Sequence, residues 1–211
     1  MSLTSQLPTS RREICTRCLR PVRACICQWI AATCSKVELI ILQHPLEQHH
    51  AKGSARLLHL SVANSQLYIA EKFETEFLQS ILFATEKTTL LLYPERSEGQ
   101  SGVVESPPLD HQCLALPDQL RLIVLDGTWR KSRKMLYQNP LLQSLARLAL
   151  NDMPDSQYRI RKAHKPDQLS TLEATCQALM LLENNSEKYQ PLLAAFDGFI
   201  RQQQSLYVIP G

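Results

Sequence analysis

Four of the seven cysteines in this 211-residue chain fall within thirteen residues, as Cys15-x-x-Cys18 followed by Cys25-x-Cys27. Two closely spaced thiol pairs can grip opposite sides of a tetrahedral Zn²⁺, each from a tight turn. A disulfide or redox pair is the competing reading, but no apolar secretory segment accompanies the cluster. The single spacer in Cys25-x-Cys27 is also tighter than common zinc-ribbon spacing. Cys34, Cys113 and Cys176 have no partner in sequence and are expected to be buried small apolar residues. Arg17, Arg20 and Arg23 interleave with the thiols, so a zinc knuckle here would present positive charge on a small rigid scaffold, suited to RNA.

A second set of polar residues stands where apolar runs end. His44-Pro-Leu-Glu47 follows the first such run, and Asp126-Gly127-Thr128-Trp129 follows LRLIVL, continuing at once into Arg130, Lys131, Arg133 and Lys134. Farther on come Arg159, Arg161, Lys162 and Lys165, leading into Leu169-Ser170-Thr171-Leu172-Glu173-Ala174. Open α/β sheets bind ligands at the carboxyl ends of their strands, which makes these positions candidates for a site. Asp126 is the foremost: a carboxylate at the tip of an apolar strand, where burial and a neighbouring aromatic ring would raise its pKa toward the range of a general base. Each residue also has a plainer role. His44 can be a core histidine, Trp129 a packing residue, Asp126 a turn or cap, and Ser170 with Glu173 a capping box.

Alternating strands and helices must position these groups. Val37–Leu42 (VELIIL), a short run at Leu67–Ala70, Thr88–Tyr93 and Leu120–Leu125 predict parallel strands, stopped by Pro45, Pro94 and Asp126-Gly127. Helical spacing is seen at Gln48–Leu60, Lys131–Tyr137, Ser170–Glu183 and Tyr189–Gln203. The stretch Glu95–Pro108, with Gly, Ser and Pro throughout, is expected to be a mobile surface segment. The pattern is an α/β domain over 37–211, with residues 1–36 as an N-terminal metal-binding segment.

Composition limits the remaining possibilities. With 44 % hydrophobic and 20 % charged residues the chain can bury a sizeable core, and its length leaves no room for two independent enzymatic domains. Six glycines are fewer than half the usual share of about 7 %. Neither G-x-G-x-x-G nor G-x-x-x-x-G-K-[ST] occurs, so dinucleotide-fold and P-loop readings lack their phosphate-binding backbone. No apolar run approaches the roughly 20 residues of a membrane span, and Arg11-Arg12 is followed by Glu13 and Cys15 where a twin-arginine signal needs an apolar stretch. A cytoplasmic protein without membrane association is expected, with a monomer favoured. The net charge of +3 conceals an uneven distribution: residues 1–36 carry a net +5, residues 126–166 a net +6, and the rest a net −8. Two basic stretches on an acidic chain suit a polyanion-binding face, or a solvated charged surface.

The cysteine cluster with its internal Pro21, the HPLE block, Asp126-Gly127-Thr128-Trp129 and the KPDQLSTLEA block occur in one order. In this the chain resembles the DTW-domain family, the tRNA-uridine aminocarboxypropyltransferases, from about Cys15 to Glu183. The resemblance implies a SPOUT-like, mostly parallel sheet with helices on both faces and a C-terminal knot. It also implies structural zinc on Cys15, Cys18, Cys25 and Cys27, and S-adenosylmethionine as co-substrate, whose 3-amino-3-carboxypropyl group goes to N3 of a tRNA uridine. Asp126 would be the base. Gly127, Thr128 and Trp129, the backbone near Tyr93 and Leu125, and the Ser170, Thr171 and Glu173 turn would form the cofactor pocket. Arg130, Lys131, Arg133, Lys134, Arg159, Arg161, Lys162 and Lys165 would hold tRNA phosphates. His44 and Glu47 are motif residues without an assigned role. Two other readings share parts of this pattern: a SPOUT-type RNA methyltransferase, and a zinc-knuckle RNA-binding protein without catalysis.

Overall fold

The computed structural model of the chain describes residues 13–94, 106–150 and 169–207. Its centre is a five-stranded sheet, parallel throughout, formed by β1 (Glu38–Gln43), β2 (Ser65–Ile69), β3 (Thr88–Leu92), β4 (Leu120–Asp126) and β5 (Ala146–Leu148) in the order β2-β1-β4-β3-β5. Every residue of β4 is buried, as is all of β1 after Glu38. A parallel strand covered on both faces reads as an unbroken apolar run, which is why VELIIL and LRLIVL stand out in the sequence. Along β1 the side chains alternate between two cores, Leu39 and Ile41 in one, Ile40 and Leu42 in the other. The first core is completed by α1 (Ala55–Ser61), α5 (Thr171–Leu182) and residues following Tyr189, the second by α2 (Thr75–Leu82), α3 (Trp129–Gln138) and α4 (Pro140–Gln143). A last helix, α6 (Gln190–Tyr207), packs on α5 and α1. The sheet is therefore covered by helices on both faces.

The predicted strands and helices are all present, with shifted ends. The largest shift is in α1, which begins at Ala55 and not near Gln48. Pro45 instead opens a 3-10 turn over Pro45–Glu47, and successive turns bond His50 N to Glu47 O and Gly53 N to His50 O. Glycine at 53 keeps these turns tight, since a Cβ there would lie 3.1 Å from the His50 carbonyl oxygen and 3.2 Å from that of Glu47 and would press on the loop backbone. Among the three isolated cysteines only Cys176 is buried; Cys34 is exposed and Cys113 partly so, which corrects the expectation for those two. Residues 95–105 of the segment expected to be mobile lie outside the described residues, as does 151–168, and the expected C-terminal knot is not confirmed. No helix among the described residues is long and apolar enough to cross a membrane.

Two polar hubs lock the ends of the sheet. Arg121, 1 % exposed, donates to the Leu82 carbonyl, Thr85 and Glu38 at the amino-terminal edge. Glu183, just past α5, accepts from Ser35 Oγ, the Lys36 amide, Tyr189 Oη and Lys188 Nζ, tying the entry of β1 to the α5–α6 corner. Burial opposes its charge, but these donors prevail and hold its pKa below the ordinary value.

The N-terminal cysteine segment is seated on α6. Trp29 Nε1 donates to Gln202 Oε1 at 2.5 Å, Gln202 Nε2 donates to the Cys25 carbonyl at 3.1 Å, and Ile26 is fully buried in the first core. Gly198 leaves room for the indole, since a Cβ there would fall 2.1 Å from Trp29 Cζ3. Gly198→Ala gains at most about 1 kcal/mol of helix propensity but overpacks this contact at a cost of about 1–3 kcal/mol. Chemical denaturation should show a lower midpoint with unchanged slope, and the same substitution should cost less in a chain that already carries Trp29→Ala. An unchanged or raised midpoint for Gly198→Ala would contradict the close seating.

Candidate active site and metal centre

The metal centre forms from a hairpin and a pair of 3-10 turns. Ile14 bridges Pro21, the Cys15 amide donates to the Arg20 carbonyl, and Leu19 turns the chain with φ 59°. Val22–Ala24 and Cys27–Trp29 are the two short turns that present Cys25 and Cys27. The sulfurs of Cys15 and Cys27 are 3.7 Å apart, as are those of Cys18 and Cys25, and all four lie within 4.8 Å of one another. Zn–S bonds of about 2.3 Å make the edge of a ZnS₄ tetrahedron about 3.8 Å, so the donor set fits zinc in number, type and spacing. Amides of Cys18 and Arg17 stabilise the Cys15 thiolate and bring its pKa down to about 6. Burial and the adjoining sulfurs push Cys27 up to about 12, a mutual repulsion that a dication relieves. Of the three interleaved arginines, Arg17 and Arg23 are exposed, whereas Arg20 is turned into the protein.

The second site lies where the strand order reverses, between the carboxyl ends of β1 and β4. Register pairs Gln43 with Asp126, and Gln43 Nε2 donates to Asp126 Oδ2 at 2.8 Å. The next amide, His44 N, donates to the Asp126 carbonyl at 2.9 Å. Thr171, the first residue of α5, acts on the Asp126 side chain and lowers its pKa, which brings the third and fourth sequence blocks noted above to one place. Asp126 is 5 % exposed. Burial raises its pKa above the ordinary carboxylate value; the Thr171 and Gln43 bonds offset part of this, and the charge of Glu47 adds to the rise. A carboxyl whose proton affinity is raised by burial is a better proton acceptor than a solvated one, which is the direction a general base requires.

Other expected residues take defined places around it. Gly127 sits where a Cβ would be 3.1 Å from Lys131 Cβ, so its lack of a side chain lets α3 start directly from the strand. Thr128 is the exposed N-cap of α3, and its side chain makes no capping bond. Trp129 is 56 % exposed and meets the buried Tyr93 edge-on at 6.0 Å between ring centres, with the Arg147 guanidinium on that tyrosine. Leu125 contributes only backbone at this edge, its side chain being buried in the second core. Ser170 and Glu173 form the reciprocal capping box their spacing predicted. His44 is structural: Nδ1 accepts from the Leu46 amide, so Nε2 carries the proton and donates it to Glu71 at 2.7 Å.

The basic helix α3 carries Arg130, Lys131, Arg133 and Lys134 and no acid. Cations in a first helical turn work against the helix dipole, so external carboxylates are expected nearby. Lys131 pairs with Glu47 and Lys134 with Glu71, each at 2.7 Å. Arg130 and Arg133 are exposed. Arg159, Arg161, Lys162 and Lys165 lie outside the described residues. Sequence reasoning missed Gln43, Glu71 and His50, the last of which opposes the rise in the Asp126 pKa. Only the strand register and loop path bring them in, and none belongs to a motif.

Purified, reduced protein should contain about one zinc per chain. Cys15→Ser or Cys27→Ser should lose the metal and destabilise the segment, because ligand binding and local folding share one free energy. Elemental analysis of the fresh protein checks this, and a metal-free, fully folded sample would refute it.

The DTW domain family model matches residues 12–204. The chain is 31 % identical over 194 residues to tRNA-uridine aminocarboxypropyltransferase 2 of Drosophila melanogaster, covering 88 % of this chain and 73 % of that protein. It is 30 % identical over 193 residues to tRNA-uridine aminocarboxypropyltransferase 2 of Macaca fascicularis, covering 88 % of this chain but 62 % of that protein. With tRNA-uridine aminocarboxypropyltransferase A of Arabidopsis thaliana the identity is 25 % over 221 residues, 95 % of this chain and 84 % of the other. No solved structure matches the chain significantly. A family match spanning both the four-cysteine centre and the Asp126 crevice settles the relationship: the chain belongs to the DTW domain family.

Proposed function

We propose that this chain modifies tRNA by transferring the 3-amino-3-carboxypropyl group of S-adenosylmethionine to N3 of a uridine, with methylthioadenosine as the leaving group. The buried Asp126 at the switch point of the sheet carries the reading, in a chain whose relatives bear the name tRNA-uridine aminocarboxypropyltransferase. The proposal includes a SPOUT-like domain over 37–211 with a knotted C-terminal region, and 1–36 as its zinc-bearing appendage. The crevice suits the co-substrate chemically, since it joins an exposed indole able to stack on a base with hydroxyls and a carboxylate able to meet the polar amino-acid end. When bound, S-adenosylmethionine supplies a sulfonium-activated methylene carbon.

The work left to the protein is positioning and deprotonation. Asp126 takes the N3 proton, with Gln43 Nε2 holding its carboxylate through Oδ2 and Thr171 beside it. Gly127 and Thr128, the backbone at Tyr93 and Leu125, and the Ser170, Thr171 and Glu173 turn line the co-substrate side, and Trp129 stacks on a base or on the adenine. Arg130 and Arg133, with Lys131, Lys134, Arg159, Arg161, Lys162 and Lys165, hold phosphates, which gives affinity without base identity.

Incubating tRNA with S-adenosylmethionine labelled either in the methyl or in the carboxypropyl carbons tests this directly. Side-chain label in the RNA supports the proposal, methyl label favours an RNA methyltransferase, and no label favours a non-catalytic RNA-binding protein. Asp126→Asn keeps the size of the side chain but cannot accept the proton, so turnover should fall by roughly 10²–10⁴ with co-substrate and tRNA binding near wild type. The deficit should shrink as pH rises, because hydroxide increasingly ionises the imide unaided. A well-folded variant still fast at neutral pH would remove Asp126 from the mechanism.

A further inference from the structure

We propose that Arg20 is a positioning residue that carries order from the cysteine centre to the loop flanking Asp126. Its backbone belongs to the metal knuckle, since the Arg20 carbonyl accepts the Cys15 amide and the residue follows the left-handed turn at Leu19. Its side chain belongs to the other site. One guanidinium nitrogen donates to the Ala51 carbonyl at 2.6 Å, and another to the carbonyls of Gly53 at 2.9 Å and His50 at 3.3 Å. The guanidinium carbon also lies 5.1 Å from the ring centre of Phe199 on α6, which supports it from the far side.

The loop so held runs from the end of β1 to the start of α1, and both of its ends touch the Asp126 environment. At one end the His44 amide bonds the Asp126 carbonyl. At the other, Ser54 Oγ accepts the Leu172 amide in the first turn of α5, beside Thr171. Between them stand Glu47 and His50, whose charges act on Asp126. Only a short chain of turns, Glu47 to His50 to Gly53, stabilises the middle of this loop from within. Three carbonyls converging on one point need a cation with several donors in a fixed fork, a requirement met by arginine and only partly by lysine. The cysteine centre thus sets where Arg20 stands, and Arg20 sets the loop.

This inference rests on the proposed function only for its effect on turnover, so its structural half is tested without substrate. Hydrogen exchange at the His50 and Gly53 amides is compared in the zinc-loaded wild type, Arg20→Ala and Arg20→Lys, with central-strand amides and zinc content as controls. Loss of charge-assisted bonds to three carbonyls should accelerate these loop amides by about tenfold or more in Arg20→Ala, with lysine restoring part of the protection and zinc retained in both. Chelation should accelerate the same amides in the wild type yet add little in Arg20→Ala, because the link is already cut. Unchanged exchange in Arg20→Ala, or an equal response to chelation with and without Arg20, would overturn the proposal. If Arg20→Ala loses its central-strand protection, Arg20→Gln and Arg20→Lys decide by the same criteria. In the labelled-transfer assay kcat/KM should fall about tenfold in Arg20→Ala and recover in part with lysine, as the exchange does. Loosened loop amides with undiminished turnover would overturn the positioning role. A chain that transfers no label in any form defeats the proposed function while the exchange results still decide the coupling.

Discussion

Parallel pairing of β1 with β4 is the constraint from which the rest follows. Two strands without a solvent-facing residue beyond Glu38 must lie inside the sheet, and pairing them in the same direction brings both chains out of it at one edge. The exit register places Gln43 opposite Asp126 and His44 next to it, so a carboxylate arrives at a buried position with its hydrogen-bond donor already facing it. Helices cover both faces, and the carboxyl ends of β1 and β4 are where an open sheet of this kind meets a ligand. The site is a consequence of topology before it is a set of residues.

Burial of charge at Arg121, Asp126 and Glu183 is offset by partners from distant segments. Arg121, Asp126 and Glu183 draw on residues 30 or more positions away, Glu38, Gln43 and Ser35, and Glu183 also on its neighbours Lys188 and Tyr189. An unpaired ion in such surroundings would be costly, so these contacts fix the relative placement of strands more sharply than apolar packing does. The cysteine segment follows the same logic from outside. With Ile26 in the core and Trp29 against Gly198, it is a buttress for α6, and Arg20 extends that buttress to the edge of the sheet.

What was legible in the sequence was local or uninterrupted. Cys15, Cys18, Cys25 and Cys27 announce their chemistry because ligands for one ion must come from adjacent turns, and β1 and β4 do so because burial on both faces leaves no gap in the apolar run. Asp126 was visible for standing at the end of such a run. By contrast β5, the short strand expected before Tyr158, is three residues with Arg147 at its centre, buried beneath Tyr93, so no periodicity sets its bounds. Gln43 and Glu71 are ordinary residues in sequence and acquire roles only through register. Lys131 and Lys134 were read as phosphate ligands from their charge; the carboxylates that already hold them come from segments more than sixty residues upstream, beyond the reach of any local pattern.

Those two pairs alter how the basic helix answers an approaching polyanion. Glu47 and Glu71 act as built-in counterions, so a phosphate that engages Lys131 or Lys134 displaces a tethered carboxylate in place of a dissolved anion. The cation that the phosphate gives up is then matched by one drawn to the freed carboxylate, so the exchange adds little to the net ion release that makes nucleic-acid binding fall steeply with salt. Contacts through Arg130 and Arg133 would therefore dominate the ionic-strength response, while the lysines act as an exchange of partners whose balance depends on geometry. A helix with four cations would behave, toward salt, as though it had closer to two.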